Sequence, residues 1–221
     1  SLPCKYFQWS NPAESLPPDQ AMDVDAVIHL MGEPLDGRRW TKQKKLEFRK
    51  SRIKSTRNMV YAIKDALGRI KVFLTASAIG IYGEGGEIIF TEKSKIGNTF
   101  LAKLCHDWEQ EASKSTCRNA QLRFGIVLAN DSRALKKMLP VFENGFGGPL
   151  SSGNQWMSWV HIDDLVGITM KTLHDPKLAG QINIVSPEPV RNREFTKFLA
   201  SALKVKAILP VPKIALRLVL G

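Results

Sequence analysis

DVDAVIHLMG, residues 23–32, is the stretch that decides the fold of this 221-residue chain. Its apolar run is continuous and ends at Gly32, which is typical of a strand buried in a parallel sheet, because a half-exposed strand would alternate polar and apolar residues. Residues 70–75, 121–128 and 181–185 predict three further strands, and residues 5–9 predict an earlier, shorter one.

Helical spacing of apolar residues separates these strands. The helix predicted over residues 41–67 places six apolar side chains on one face: Leu46, Ile53, Met59, Val60, Ile63 and Leu67. Gly68 follows as its C-cap. Four more helices are predicted at 100–115, 134–144, 192–203 and 212–220, and a fifth, capped by Asp163 or Asp164, ends near residue 173. Strands that alternate with long helices predict a parallel α/β sheet.

Parallel sheets bind ligands outside the carboxyl ends of their strands. The segments that follow Leu30, Thr75 and Val127 are therefore the predicted location of any chemistry.

The net charge of +11 is the unusual bulk property of the chain. It indicates an anionic partner, such as a nucleotide phosphate or a nucleic acid, or it is a property of the surface alone. Ten cations lie within residues 38–57, where Glu47 is the one acid: Arg38, Arg39, Lys42, Lys44, Lys45, Arg49, Lys50, Arg52, Lys54 and Arg57. Such density could follow a nucleic-acid backbone. No nucleic-acid motif accompanies it, so the solvated face of a long helix is the favoured interpretation.

The other bulk features predict a reduced, cytoplasmic protein. Cys4, Cys105 and Cys117 are odd in number and lack metal-ligand spacing, and four scattered histidines do not predict a metal site. No apolar run reaches about 18 residues and the first residues lack the order of a secretory signal, so membrane insertion is not expected.

A set of short motifs runs in order through nearly the whole chain. They are His29-Leu30-Met31-Gly32-Glu33-Pro34, Arg39-Trp40, Ser51-Arg52, Ser77 with Tyr82-Gly83, Lys103 with Trp108-Glu109, Leu122-Arg123, Gly147-Gly148-Pro149, 159–164 and 183–187. In this order the chain resembles the atypical NAD(P)-dependent epimerase/dehydratase family of the extended short-chain dehydrogenase/reductase superfamily. The resemblance implies a Rossmann-like parallel sheet with helices on both faces and a small C-terminal substrate lobe. It divides the chain into a truncated NAD(P)-binding domain, residues 1–130, and a region, 131–221, that is mainly substrate lobe, with 159–186 returning to the cofactor domain.

The same resemblance implies the site residues. Those expected to border NADP, or NAD, are His29, Leu30, Met31, Gly32, Glu33, Arg39, Arg52, Thr75, Ala76, Lys103, Arg123, Gly125, Ile126 and Val127. Ser77, Tyr82 and Lys103 are the candidate catalytic residues, and Trp156 and Trp159 are the candidate substrate contacts. Each has a plainer alternative: Ser77 as a loop cap, Tyr82 as packing, Lys103 as a solvated lysine, and the two tryptophans as burial between lobes.

Two departures from the family pattern bear on activity. The 221 residues contain no G-x-G-x-x-G loop, which would place backbone N–H groups against the pyrophosphate, so we expect the first βαβ unit to be absent and cofactor affinity to be poor. The superfamily's catalytic tyrosine is replaced by Thr99, four residues before Lys103, and a threonine hydroxyl is far too weak an acid for that role.

Three functional hypotheses follow. The first is an NAD(P)-binding epimerase or oxidoreductase that acts on a sugar-like or small polyol substrate, as a monomer or homodimer. The second is a non-catalytic nucleotide-binding or regulatory protein that retains the fold. The third, nucleic-acid binding through residues 38–57, is not favoured.

Overall fold

The computed structural model of the chain describes residues 4–35 and 39–206. Its strands are β1 (Ala26–His29), β2 (Val72–Ala78), β3 (Arg118–Phe124), β4 (Ile126–Leu128), β5 (Trp156–Met157), β6 (Trp159–His161), β7 (Gly180–Ile184) and β8 (Val190–Arg191). Its α-helices are α1 (Lys42–Arg49), α2 (Ser55–Asp65), α3 (Phe100–Ala112), α4 (Arg133–Glu143), α5 (Ile162–His174) and α6 (Asn192–Leu203). The helix predicted at 212–220 lies outside the described residues.

The main sheet has four parallel strands in the order β1-β2-β3-β7. On one face, Met59, Val60 and Ile63 of α2 pack on Phe73 of β2. On the other face, α5 packs through Leu165 against a cluster that includes Leu74, Leu122 and Ile184. Helices therefore cover both faces, and the predicted α/β, Rossmann-like sheet is confirmed.

The smaller strands form two separate pairs. Strand β4 pairs with β6 in parallel, and β5 pairs with β8 antiparallel. Helix α4 packs against β4 and α6. The division of the chain at residue 130 stays a prediction. None of the helices in the described part of the chain is long and apolar enough to cross a membrane.

The strand predicted over residues 5–9 is wrong, since these residues pair with no strand. Trp9 instead packs against the cluster beneath α2, and its indole N–H donates to the carbonyl of Ser15 at 3.1 Å. The apolar character of the segment reflects packing of side chains and not backbone pairing. The N-cap of α5 is also different from the prediction, because His161 fills this position and its ring accepts from the backbone N–H of Asp163.

A π-helical turn, Lys50–Lys54, joins α1 and α2 into one continuous helix. The turn shifts the phase of the helix, so the predicted apolar face holds only in its second half. Leu46 is 52% exposed, whereas Phe48, which the regular spacing omits, is buried. Leu67 lies beyond the end of the helix with a φ of 48° and is 92% exposed.

Gly125→Ala is expected to lower the free energy of unfolding by about 1–3 kcal/mol. Gly125 joins β3 to β4, and an added Cβ would lie 2.8 Å from the carbonyl oxygen of Ser158 and 3.0 Å from a methyl group of Val185. The Ser158 carbonyl accepts the N–H of Ile126, so it is held in place. Urea unfolding measures the change.

Gly167→Ala in α5 is the matched control, because nothing lies within 4 Å of its added Cβ. It should be neutral or stabilising, since alanine favours the helix. Equal unfolding midpoints for the two variants would contradict the steric argument at Gly125.

Candidate functional site

The three predicted site segments meet at the carboxyl edge of the sheet. His29 is level with Thr75 in the register, and Ala78 is level with Phe124. The chain therefore runs from the end of β1 to Gly32 beside the carboxyl end of β2. It also leaves β3, at Gly125, beside the carboxyl end of β2. This is the edge at which parallel sheets bind their ligands.

The backbone after β1 is held in place by the π-helical turn. The Ser51 hydroxyl accepts from the N–H of Glu33, and a guanidinium N–H of Arg52 donates to the Glu33 carbonyl, both at 2.9 Å. The Arg52 guanidinium also fills the space beside Gly32, where a Cβ would lie 2.9 Å from its Cζ, and it stacks on Trp108 at 5.3 Å. A side chain at position 32 would have to displace the Arg52 guanidinium from this place. The Glu33 side chain is paired with Lys44 at 2.6 Å.

Arg52 is consequently a supporting residue in this structure, although the sequence predicts a direct cofactor contact. Its guanidinium is buried behind the Gly32–Glu33 backbone, and burial lowers its pKa. Leu30 and Gly32, in contrast, are exposed at the edge, and Met31 is half-buried.

His29 lies inside the protein and not along the exposed edge. It is 2% exposed, packs near the rings of Trp9 and Phe73, and has the Ser55 hydroxyl 3.4 Å from its Nε2. Burial lowers its pKa to about 4. The ring is therefore neutral at physiological pH and belongs to the packing beneath α2.

A buried polar network extends from β2 to β3 and α3. The Ser77 hydroxyl donates to a Glu109 carboxylate oxygen at 2.6 Å. The Arg123 guanidinium forms a bidentate salt bridge with the same carboxylate, with N–O distances of 2.8 and 2.7 Å. All three residues are at most 5% exposed. Burial alone would lower the pKa of Arg123, but the hydrogen bonds and charge of Glu109 outweigh burial and raise it.

Tyr82 extends this network to the neighbouring strand. Its hydroxyl accepts from Arg123 at 2.8 Å and donates to the Asn183 side-chain oxygen at 2.6 Å. The ring stacks on Phe90 with centroids 5.1 Å apart and is buried. Glu92 closes the network, because its carboxylate accepts the Asn183 backbone N–H and its carbonyl accepts from Arg123. The hydroxyls of Ser77 and Tyr82 are thus both engaged inside the protein.

The remaining residues predicted to border the cofactor lie in β2, where side chains alternate between the two faces of the sheet, and at the start of β4. Thr75 and Ala76 are both buried on opposite faces of β2, and the Thr75 hydroxyl has no hydrogen-bond partner among the described residues. Ile126 and Val127 are half-buried where β4 pairs with Trp159 and Val160.

Helix α3 begins at the position of the superfamily's tyrosine. The Thr99 hydroxyl accepts from the backbone N–H of Ala102 at 3.1 Å, so it caps the helix. Lys103 lies one turn later and is exposed. Arg39 is also exposed, so two of the four predicted cofactor-border cations are accessible to an anionic ligand, whereas Arg52 and Arg123 are buried.

The two predicted substrate tryptophans have polar partners in the C-terminal region. The Arg191 guanidinium covers the Trp156 ring at 3.8 Å and is paired with Glu87 of the loop after β2. The Trp159 indole N–H donates to the Glu188 carbonyl at 3.1 Å. Trp156 remains 44% exposed, so a substrate could reach only part of its surface.

Part of the basic run is explained by local contacts. Lys44 pairs with Glu33 and Glu47, Arg49 pairs with Asp107, and Arg57 pairs with Glu111. The pairs of Arg49 and Arg57 connect the long helix to α3, and each of these ion pairs reduces the charge available to a nucleic-acid backbone.

Thiol and metal chemistry find no support in this part of the chain. Cys105 is buried, and burial, together with the charge of Glu109, raises the pKa of its thiol to about 11, which disfavours a nucleophilic thiolate. Residues 4–35 and 39–206 contain no group of three or more His, Cys, Asp or Glu side chains that could hold a metal ion.

Glu109 is the central residue that the sequence did not assign to the site. A signal was present, since Glu109 lies on the buried stripe of α3 that also contains Ala102, Cys105, Trp108 and Ala112. A carboxylate on an apolar stripe needs a buried partner. No spacing rule could identify that partner as Arg123, which lies on a different element.

Comparisons with known proteins agree with this geometry. The sequence profile of the NAD dependent epimerase/dehydratase family matches residues 18–185. The chain is 41% identical over 200 residues to the chloroplastic epimerase family protein SDR39U1 homolog of Arabidopsis thaliana, covering 89% of this chain and 57% of the plant protein. It is 35% identical over 218 residues to the epimerase family protein Mb2239 of Mycobacterium bovis, covering 97% of this chain and 72% of that protein.

Among solved structures, human epimerase family protein SDR39U1 (isoform 2), crystallised with NADPH, superposes with a TM-score of 0.85 at 30% identity. The superposition covers 95% of this chain and 71% of the human one. Together with the carboxyl-edge arrangement of Gly32, Ala78 and Gly125, these matches establish that the chain belongs to the NAD dependent epimerase/dehydratase family.

Proposed function

We propose that the protein binds NADP(H), or NAD(H), along the carboxyl edge of its sheet and acts as an epimerase or oxidoreductase on a sugar-like or small polyol substrate. The observation that carries this proposal is the convergence of Gly32, Ala78 and Gly125 at that edge. The human relative crystallised with NADPH supports the choice of cofactor. The bound nicotinamide would donate or accept the hydride.

The residues at the edge fit one half of such a cofactor. Gly32 is exposed, and Gly125 and Ala78 add little bulk, so a flat ring could approach the backbone closely. The exposed cation of Lys103 is suited to hold the ribose, and that of Arg39 is suited to a phosphate. The 221 residues contain no G-x-G-x-x-G loop for the pyrophosphate, so weak affinity remains our expectation.

We assign Ser77 and Tyr82 positioning roles. Their hydroxyls are bonded to Glu109 and Asn183, and either would have to leave its acceptor before it could touch a reacting atom. Through Arg123 they fix the end of β3 that precedes Gly125. Lys103 is the candidate that faces solvent, and Trp159 and the uncovered part of Trp156 would border the substrate.

Thermal unfolding with NADPH, NADP⁺, NADH and NAD⁺ tests the proposal, because a ligand that binds only the folded state raises the melting temperature. We expect a rise at millimolar NADPH that is smaller in Lys103→Gln and Arg39→Gln. Lys64→Gln is the matched control, since Lys64 is also exposed but lies at the end of α2 beside the opposite edge of the sheet.

The absence of any shift at millimolar cofactor would refute cofactor binding by this chain. Micromolar binding would instead refute the expected weak affinity. A shift without oxidation of any polyol would favour a non-catalytic nucleotide-binding role, which the helix-capping hydroxyl of Thr99 also favours.

A further inference from the structure

The loop that follows β2 is firmly attached along its second half. We call residues 83–98 the β2 loop. Phe90 stacks on the Tyr82 ring with the centroids 5.1 Å apart, and the Glu92 carbonyl accepts from the Arg123 guanidinium. The second half of the β2 loop is therefore bound to the buried network described above.

The tip of the β2 loop, residues 86–89, projects from this anchor. All four residues are exposed, and the values for Ile88 and Ile89 are 66% and 89%. Gly86 begins the tip with a φ of 57°, a left-handed backbone conformation that favours glycine. In the described part of the chain, the tip has one ion pair with another element, and Glu87 makes it.

Arg191, the partner of Glu87, is held in place by its own surroundings. It lies in β8, level with Trp156 of β5 in the register. Its guanidinium stacks on the Trp156 ring at 3.8 Å and donates to the Asn154 carbonyl, and its backbone N–H donates to the Glu194 carboxylate. Hydrogen bonds from Arg191 and from the Trp156 indole lower the pKa of the Glu87 carboxyl, so it is ionised at physiological pH. The exposed tip, and not Arg191, is the partner that is free to move away.

The pair is weak enough to open in the folded protein. The Arg191 side chain is 19% exposed and that of Glu87 is 74% exposed, so water competes for the carboxylate. An ion pair of this kind changes an equilibrium constant by about twofold to fivefold. When it opens, Tyr82 and Arg123 still hold the second half of the β2 loop, so only the tip is released.

We propose that Glu87 and Arg191 form a latch that closes the tip of the β2 loop over the Trp156 indole, and that this latch opens and closes in the folded protein. When the latch is closed, Glu87 covers the indole edge and Arg191 covers one face of the ring. Opening uncovers the edge. Because Trp156 is a candidate substrate contact, the latch would control access to it. Only this consequence rests on the proposed function, since opening requires neither cofactor nor substrate.

Exchange of the Trp156 indole N–H with water, followed by ¹H–¹⁵N NMR of the full chain, tests the latch. The loss of one indole resonance in Trp156→Phe identifies the signal. We expect Glu87→Gln to raise its exchange rate about twofold to fivefold, because the open population grows by this factor. The Trp159 indole N–H, which donates to the Glu188 carbonyl, is the internal control and should exchange as before.

Glu84→Gln is the matched control variant, because Glu84 is an exposed acid of the same loop that has no ion pair among the described residues. Its Trp156 exchange rate should equal that of the parent chain. Raising NaCl from about 20 mM to about 500 mM should accelerate exchange in the parent chain but not in Glu87→Gln, because salt screens a charged pair. Equal exchange rates in the two glutamine variants, or equal salt effects with and without Glu87, would refute the latch.

Thermolysin cleavage reports on the tip itself, because this protease cuts before large apolar residues in exposed, mobile segments. Arg191→Met removes the latch without changing the loop sequence, and should accelerate cleavage at Ile88 and Ile89 by the same factor. Arg193→Met is the control, since Arg193 donates to Asn154 and makes no ion pair with the β2 loop in the described structure. Equal cleavage of the two methionine variants would show that the pair does not hold the tip and would overturn the proposal. If Arg191→Met fails to fold, the NMR measurement decides alone.

Discussion

Arg123→Met is expected to lower the free energy of unfolding by about 3–5 kcal/mol, because it leaves the Glu109 carboxylate buried without its cation. The carboxylate is 4% exposed and would keep only the Ser77 hydroxyl as a donor. The substitution also removes a donor from the Tyr82 hydroxyl and from the Glu92 carbonyl. Urea unfolding followed by circular dichroism measures the loss.

Two further variants test whether the loss of stability comes from the uncompensated buried charge or from lost packing. Glu109→Met combined with Arg123→Met removes both charges and should recover most of the stability. Arg49→Gln breaks an ion pair with Asp107 whose side chains are 40% and 38% exposed, and should cost at most about 1 kcal/mol. If the double variant is as unstable as Arg123→Met alone, the uncompensated charge is not the cause.

Acidification from about pH 6.5 to about pH 4 is expected to remove about 3 kcal/mol of stability through His29 alone. Burial lowers the pKa of His29 from 6.5 to about 4 in the folded protein. Between these values the unfolded chain binds a proton that the folded protein does not. The stabilisation is therefore complete above pH 6.5 and is lost as the pH falls towards 4. Urea unfolding at successive pH values measures this slope.

His29→Leu should flatten that slope, because the ring that must remain neutral is gone. The groups around it are the Trp9 and Phe73 rings and the Ser55 hydroxyl, none of which titrates in this range. His174→Gln, at the exposed end of α5, is the control and should retain the slope of the parent chain. A His29→Leu protein with an unchanged slope would show that other groups govern acid unfolding.

The sequence was sufficient for those parts of the fold that depend on local patterns. The runs that became β1 and β2, and the helix α6, follow from periodicity over a few residues. The buried position predicted for β1 is not observed, because β1 lies at the edge of the described sheet and Ile28 is 42% exposed. Residues 5–9 show the limit, because an apolar segment packs equally well against a helix without pairing, as Trp9 does. Leu46 shows another limit, since the π-helical turn breaks the regular spacing on which its prediction rested.

The meeting of the candidate segments at the carboxyl edge was predictable, but the contacts of their side chains were not. Parallel topology alone brings Gly32 and Gly125 to one edge. The direction of each side chain depends on partners that are distant in sequence, so the sequence could not show that Ser77 would face Glu109, 32 residues away. The same reason explains Arg52, whose guanidinium supports the Gly32 backbone from behind.

The π-helical turn makes chain length critical at one place. An α-helix advances 100° per residue, so removing one residue from Lys50–Lys54 would rotate everything on one side of the gap relative to the other. In a regular α-helix, either Ser51 and Arg52 would keep their hydrogen bonds to Glu33, or Met59 and Ile63 would keep their packing against Phe73. Both sets of contacts could not be kept together. A single deletion here would therefore separate the packing of α2 on the sheet from the support of the carboxyl edge at Glu33.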